Sequence, residues 1–323
     1  MAPSSRIGNN KIVFIEYIRI ISIFCVILFH QLGNITGRGI IPDSKTLSGL
    51  CGLSCYLVGI AVPFFLFIAG YLYRKPLPGG KTSFLIKKAK RLLIPYLIFT
   101  ILTMLASGYF DANELYIGGF WHLWFVTTLF WCFAISIFID YSSKWIWLLI
   151  PISLVLTMVS LPSILGLQNF LQWYYFFALG AIVRNNQRGT IKGKWIISII
   201  CICVYIAVIL IFPFHYREQS IIHAVAISAV IYGIWIMIRD LNLKQTLIVD
   251  TLGKCSMGIY VTHYIVLIYL LSSTSFRIFH ITSLLQEIPI ITTLALAVVA
   301  YLVSSLTTMI LRTNKWTRVL IGD

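Results

Sequence analysis

The chain has 323 residues, of which 59% are hydrophobic and only 11% charged, with a mean hydropathy of +0.91; ordinary soluble domains carry about 25% charged residues, so a water-soluble globule is excluded and the bilayer is the expected solvent. The net charge of +15 does not point to nucleic acid, because the basic residues fall between hydrophobic runs, where they set membrane orientation, and form no single solvated face. The seven cysteines lie mostly within apolar runs and show no paired metal spacing, which excludes a disulfide framework or a zinc site, and Cys51 and Cys55 could be bridged only by chance.

A helix needs about 20 mostly apolar residues to cross the hydrocarbon core. The first such run, 12–32, has no small-residue cleavage site after it and contains Glu16, Arg19 and His30, so a retained helix is expected rather than a signal peptide. Three ionisable groups stand where each costs about 2.5–3.5 kcal/mol on insertion scales, and their default reading is functional. Glu16 and Arg19, three apart, can pair on one face. Arg19 and His30 are about three helical turns apart, so they share a face over roughly 16 Å. The alternative is a structural Glu16–Arg19 pair with an interfacial His30.

The second run, 50–73, is followed by Pro76-Leu-Pro-Gly-Gly80, which breaks the chain before the third, 84–108. Between them, 74–91 holds seven basic residues, Arg74, Lys75, Lys81, Lys87, Lys88, Lys90 and Arg91. Such a segment is a counter-surface for phosphates or an anchor to lipid headgroups; Arg91, at the helix entry, is the best candidate for a specific contact. The fourth run, 121–139, opens with His122 after an acidic segment holding Asp111 and Glu114. The fifth and sixth, 144–161 and 168–184, are short, and the latter carries Trp173-Tyr174-Tyr175, which with Trp121 offers faces for stacking on a sugar. Runs 194–213 and 219–238 follow, then 256–273, with Tyr260 and His263, and finally 286–312. His263 either lines a polar path with Arg19, His30 and His122 or bonds a neighbouring helix from a buried position. His215, His223 and His280 lie near loop ends and need no special role, while Trp121, Trp145 and Trp195 suit an interfacial belt.

Ten spans with both termini inside place twenty Lys and Arg residues in cytoplasmic segments and only Arg38, Lys45, Arg217 and Arg277 outside, the bias expected of cytoplasmic loops. No internal repeat, low-complexity tract or linker divides the chain. The expectation is an all-α integral membrane protein, a single domain over 1–323 built as a bundle of about ten transmembrane helices with both termini cytoplasmic. Any chemistry falls to the bundle itself.

The motifs along this chain resemble those of the membrane acyltransferases of family three. Arg19 and His30, with ten residues between them, match that family's first-helix signature; Pro63-Phe-Phe-Leu-Phe-Ile-Ala-Gly-Tyr71 resembles its second-helix motif, and Lys88-Ala-Lys-Arg91-Leu-Leu-Ile-Pro95-Tyr96 its basic entry to the third. His122-Leu-Trp124-Phe125 and Ser256-Met-Gly-Ile-Tyr260-Val-Thr-His263 are similar to its fourth- and ninth-helix motifs. Two places depart: Ala69 stands where a Ser is frequent, and Lys88 replaces an Arg, keeping charge but losing bidentate phosphate binding. The resemblance implies O-acylation in a bacterial inner (plasma) membrane, with acetyl-CoA as acyl donor, no metal, and a lipid-linked or polymeric surface glycan as acceptor: O-antigen, capsule or exopolysaccharide. Many relatives carry an esterase-like soluble domain; none is found in this sequence, so transfer by the membrane domain alone is expected. The catalytic candidates are His30, as base or acyl relay, with Arg19 and Glu16; Lys88, Arg91 and Arg74 are donor-binding candidates, and His122, Trp124, Tyr260 and His263 acceptor-binding ones. The partners expected are acyl-CoA, the glycan and membrane lipids, with no nucleic acid. The competing readings are a transporter or exporter of a glycan or small solute and a sensor or assembly factor without catalysis.

Overall fold

The structure, a computed structural model, describes residues 4–32, 41, 47–77, 79–118, 122–162, 164–186, 192–212, 221–239, 241, 243–272 and 281–322, with side chains in the first helix from Val13 onward. Arg38, Lys45, Trp121, Arg188, His215, Arg217, Arg277 and His280, and the side chains of Arg6 and Lys11, lie outside the described residues.

Every regular element among the described residues is helical. The long helices are α1 (Ser4–Leu32), α2 (Ser48–Leu72) and α3 (Lys81–Ser107); a short α4 (Asn113–Ile117) leads to α5 (Trp124–Ser136). A 3-10 turn at Lys144–Leu148 runs into α6 (Leu149–Leu156), followed by α7 (Leu167–Asn186), α8 (Lys194–Ile211) and α9 (Ile221–Ile238). Helices α10 (Leu247–Lys254) and α11 (Ser256–Leu270) are interrupted at Cys255, and α12 (Ile281–Glu287), α13 (Pro289–Thr313), α14 (Lys315–Arg318) and a 3-10 turn at Val319–Ile321 complete the chain.

All ten apolar runs are therefore helical, but they are not equal. Among the described residues six helices, α1, α2, α3, α8, α9 and α13, are long and apolar enough to cross a bilayer by length and composition. Three more are short: α5, the Lys144–Leu156 stretch and α11. Helix α7 has the length, but Gln168, Asn169, Gln172 and Arg184 dilute its apolar character. Short and interrupted helices are tolerated at membrane depth where neighbouring protein or a cavity receives their ends, and α5 and α11 both begin beside the internal cavity described below.

Among membrane helices, lipid is as apolar as a neighbouring side chain, so association depends on close packing and on polar bridges. Helices α2 and α7 cross at reciprocal glycines: a Cβ on Gly70 would collide with the Phe177 carbonyl, and one on Gly180 with the Phe67 carbonyl. Arg184 of α7 donates from Nη1 to the carbonyls of Tyr71 and Tyr73, both at 3.0 Å, satisfying acceptors that the end of α2 leaves open. Trp235 of α9 packs edge-on against Phe14 of α1 and Phe67 of α2 at 4.8 and 5.1 Å and lies 4.3 Å from Tyr71, tying three helices into one core. Ser198 of α8 donates to the Gly233 carbonyl of α9 at 2.8 Å. All seven cysteines are free thiols, Cys51 donating to the Leu32 carbonyl at 3.0 Å. His223 bonds the Phe212 carbonyl at 2.9 Å, and Trp145 and Trp195 are exposed.

Candidate active site

A cavity of about 560 Å³ opens between α1, α2, α3, α5, α11 and α13. Its lining carries six cations, Arg19, Arg74, Lys88, Arg91, Lys254 and Arg312, against one carboxylate, Glu16. Arg19 Nη1 meets Glu16 Oε1 at 3.1 Å, the pair that the i,i+3 spacing predicts. Gly253 at the end of α10 packs directly on that carboxylate, so a Cβ there would displace Glu16 and, with it, Arg19. Lys88 extends over the face of Phe133, with Nζ 3.7 Å from the ring centre, and lies 5.4 Å from that of Phe84; the aromatic faces stabilise the ammonium without neutralising it. Arg312 Nη1 lies 3.7 Å from Cys255 Sγ at the α10–α11 interruption. The chain end returns to the same place: Gly322, at φ 73°, sits against the Arg91 backbone carbonyl, and Ile321 and Gly322 line the cavity.

Next to Tyr260, which lines the cavity as Phe65 and Phe125 do, three imidazoles meet. His30 of α1 lies 5.3 Å from His263 of α11 and 6.0 Å from His122, which precedes α5, and the last two are 5.1 Å apart, centroid to centroid. Tyr264 closes the group, stacked on His122 at 4.9 Å and edge-on to His30 at 5.4 Å. His122 and His263 are fully buried, whereas His30 is partly exposed. His263 Nδ1 lies 2.6 Å from the Tyr260 carbonyl; a carbonyl only accepts, so Nδ1 carries the proton and Nε2 presents a lone pair. That Nε2 and the ring nitrogens of His122 are buried and make no hydrogen bond of good geometry, although the Val261 backbone lies close to the His122 ring. Leaving a buried polar atom unmet costs about 1–3 kcal/mol, and three such nitrogens in one cluster beside His30 are the concentration expected where chemistry, not packing, sets the residues. Among the described residues no group of three or more His, Cys, Asp or Glu is disposed to hold a metal ion.

The structure thus divides the residues named from sequence between two compartments. Arg19, Glu16, Lys88, Arg91 and Arg74 line the cavity; His30, His122 and His263 form a packed cluster, called the histidine chamber below; Tyr260 touches both. Arg19 and His30 share a helix face but not a compartment. Of the seven basic residues of 74–91, only Arg74, Lys88 and Arg91 line the cavity, because most of the segment is the first turns of α3 and the other lysines project from different faces. Trp124 stands apart from the histidines, its ring 5.2 Å from Trp173 and 6.3 Å from Phe125. The sugar-stacking expectation for Trp173-Tyr174-Tyr175 is corrected: all three are buried, and Tyr174 bonds Tyr141 at 2.9 Å and Ser136 at 3.3 Å inside the bundle. Lys254, Arg312 and Gly322 are cavity residues that sequence reading passed over as topology signals or chain end.

In comparison with known proteins, a family model described as an acyltransferase domain matches residues 12–309. No curated protein and no solved structure matches the chain.

Proposed function

The chain belongs to acyltransferase family 3 and is a membrane acyltransferase, and from that premise we propose that it moves an acetyl group from cytoplasmic acetyl-CoA to a hydroxyl of a lipid-linked or polymeric surface glycan, in a bacterial plasma membrane with both termini in the cytoplasm. The observation that carries the donor reading is the cavity: six cations and one carboxylate line it, with Arg19, Lys88 and Arg312 half-buried and Arg74, Arg91 and Lys254 exposed, and a cleft lined by one sign of charge is expected to meet a ligand of opposite sign. Coenzyme A supplies it in its phosphates. Arg74, Lys88, Arg91 and Arg312 are the groups proposed to hold them, Lys254 being paired with Asp250 at 2.6 Å. Arg19, braced by Glu16, adds a further half-buried cation to the same cavity.

His30 is the proposed base. As the acceptor hydroxyl oxygen bonds to the acyl carbon, the hydroxyl proton passes to the imidazole; the carbon–sulfur bond then breaks, and the departing CoA thiolate recovers that proton. His30 is the one histidine of the three with exposure, so it is the one an acceptor can approach.

The test has a binding arm and a product arm. Purified protein should bind CoA in a salt-sensitive way, and a Lys88→Glu, Arg91→Glu double variant should bind about tenfold or more weakly, since hydrogen bonds to charged groups contribute about 1.5–3 kcal/mol each. Surface glycan from cells lacking the protein should lose about 42 Da per repeat unit, the mass of one acetyl transfer. Unchanged CoA affinity in the folded double variant would reduce the basic segment to a topology signal. Solute flux without any acetyl difference would put a transporter in place of this reading.

A further inference from the structure

None of the three histidines lines the cavity, and one side chain stands between. Tyr260 lines the cavity, as Phe65 and Phe125 do, and its ring lies 5.3 Å from that of Phe125. The same ring lies 6.1 Å from His122 and 5.8 Å from His263. Its hydroxyl donates to the His122 carbonyl, and its own carbonyl fixes the His263 tautomer. One residue therefore touches the donor cavity, both buried histidines and Phe125. The ring is almost wholly buried, and it reaches across from α11 to the chain just before α5.

On the reading of the cavity as the donor site, we propose that Tyr260 is the positioning residue that separates the donor thioester from the histidine chamber, and that acyl transfer requires its ring to move aside. With the ring in place, this part of the cavity offers the thioester Phe65, Phe125 and Tyr260, none of which is a base at neutral pH. With the ring displaced, the way opens to His122 and His263, which the ring covers, and to His30 beside them with whatever hydroxyl has approached it. The hydroxyl-to-carbonyl bond to His122 and contacts with the rings of Phe125, His122 and His263 hold the ring in this position.

The consequence is chemical. Without the ring, water entering past His30 reaches the thioester: the water oxygen bonds to the acyl carbon, one water proton passes to an imidazole, the carbon–sulfur bond breaks, and the thiolate leaves with that proton as free CoA and acetic acid. Tyr260 thus holds hydrolysis below transfer, a case of water exclusion by a movable side chain.

The experiment supplies acetyl-CoA labelled in its acetyl group to inverted membrane vesicles from cells producing the wild type, Tyr260→Phe or Tyr260→Ala, and reads released acetate against acetyl incorporated into membrane material. Tyr260→Ala should raise the acetate-to-incorporated ratio about tenfold, and Tyr260→Phe, which keeps the ring and loses the hydroxyl, about threefold, as expected of lost water exclusion. Variants that keep the wild-type ratio, with total turnover merely lower, overturn the role of Tyr260 and leave the donor reading standing. Should Tyr260→Ala fail to accumulate, Tyr260→Phe decides alone. If the purified wild type binds no CoA, the donor reading falls and this inference falls with it.

Discussion

His30 is held in place by the residue beside it. Gln31, fully buried, donates from Nε2 to the Thr293 carbonyl of α13 at 3.1 Å, which fixes the end of α1 and so the imidazole that precedes it. Arg19, eleven residues earlier, is fixed instead by Glu16 and by the close approach of Gly253. The two residues therefore fail differently when removed. His30→Ala should leave the protein folded and inserted and lower acyl transfer per molecule by about 10²–10⁴, the usual contribution of a general base. Arg19→Ala should be nearly as severe. The check is surface-glycan acetylation measured against protein level in the membrane; wild-type acetylation by well-expressed His30→Ala would remove the histidine from the mechanism, and a drop in Arg19→Ala abundance alone would make Arg19 structural. The Arg19–His30 stripe was legible in the sequence because charge inside an apolar run is conspicuous by its cost. Tyr260 was legible only as part of a motif, since an aromatic residue in a membrane helix has no cost to betray it.

At the scale of helices, the α2–α7 crossing organises the cavity side of the bundle. The end of α2 carries Ala69, Leu72, Tyr73 and Arg74 into the cavity, and its position depends on Gly70 and Gly180 letting two backbones touch. A methyl group at either place must separate the helices, and overpacking of this kind costs about 1–3 kcal/mol. Gly180→Ala should therefore lower the melting temperature in detergent and weaken CoA binding together. Gly52→Ala, on α2, is the control: nothing lies near its Cβ position, and alanine is favoured over glycine within helices by about 0.5–1 kcal/mol, so stability should hold or rise. Equal melting temperatures for the two variants would show that the crossing is not under this constraint. The apolar runs gave every one of these helices, but not which face of each turns inward. In water a helix announces its buried face by a polar one opposite; in lipid both faces are apolar, so Trp173-Tyr174-Tyr175 could not be told from a lipid-facing or sugar-facing stretch.

Across the whole molecule, charge and cavity converge. The six cations of the cavity come from α1, the end of α2, α3, α10 and α13, and all but Arg19, which stands within the first helix, fall in segments that the basic-residue bias assigns to the cytoplasm. A reporter fused after Asp323 should accordingly report cytoplasm, and one inserted near Asp111 the exterior, because the bias of twenty to four sets the orientation; an external carboxyl terminus would mean a different number of spans. By itself the sequence determined the solvent, the helical class, the places of the helices and the costly ionisable groups, since all of these follow from local composition over about 20 residues. Only the tertiary structure decided that Lys254, Arg312 and Gly322 join Arg91 around one cavity, that His30, His122 and His263 form a separate chamber, and that Tyr260 stands between them. These groupings depend on how helices distant in the chain cross, and crossing is set by close packing at small residues and by a few polar bridges, to which hydropathy is blind.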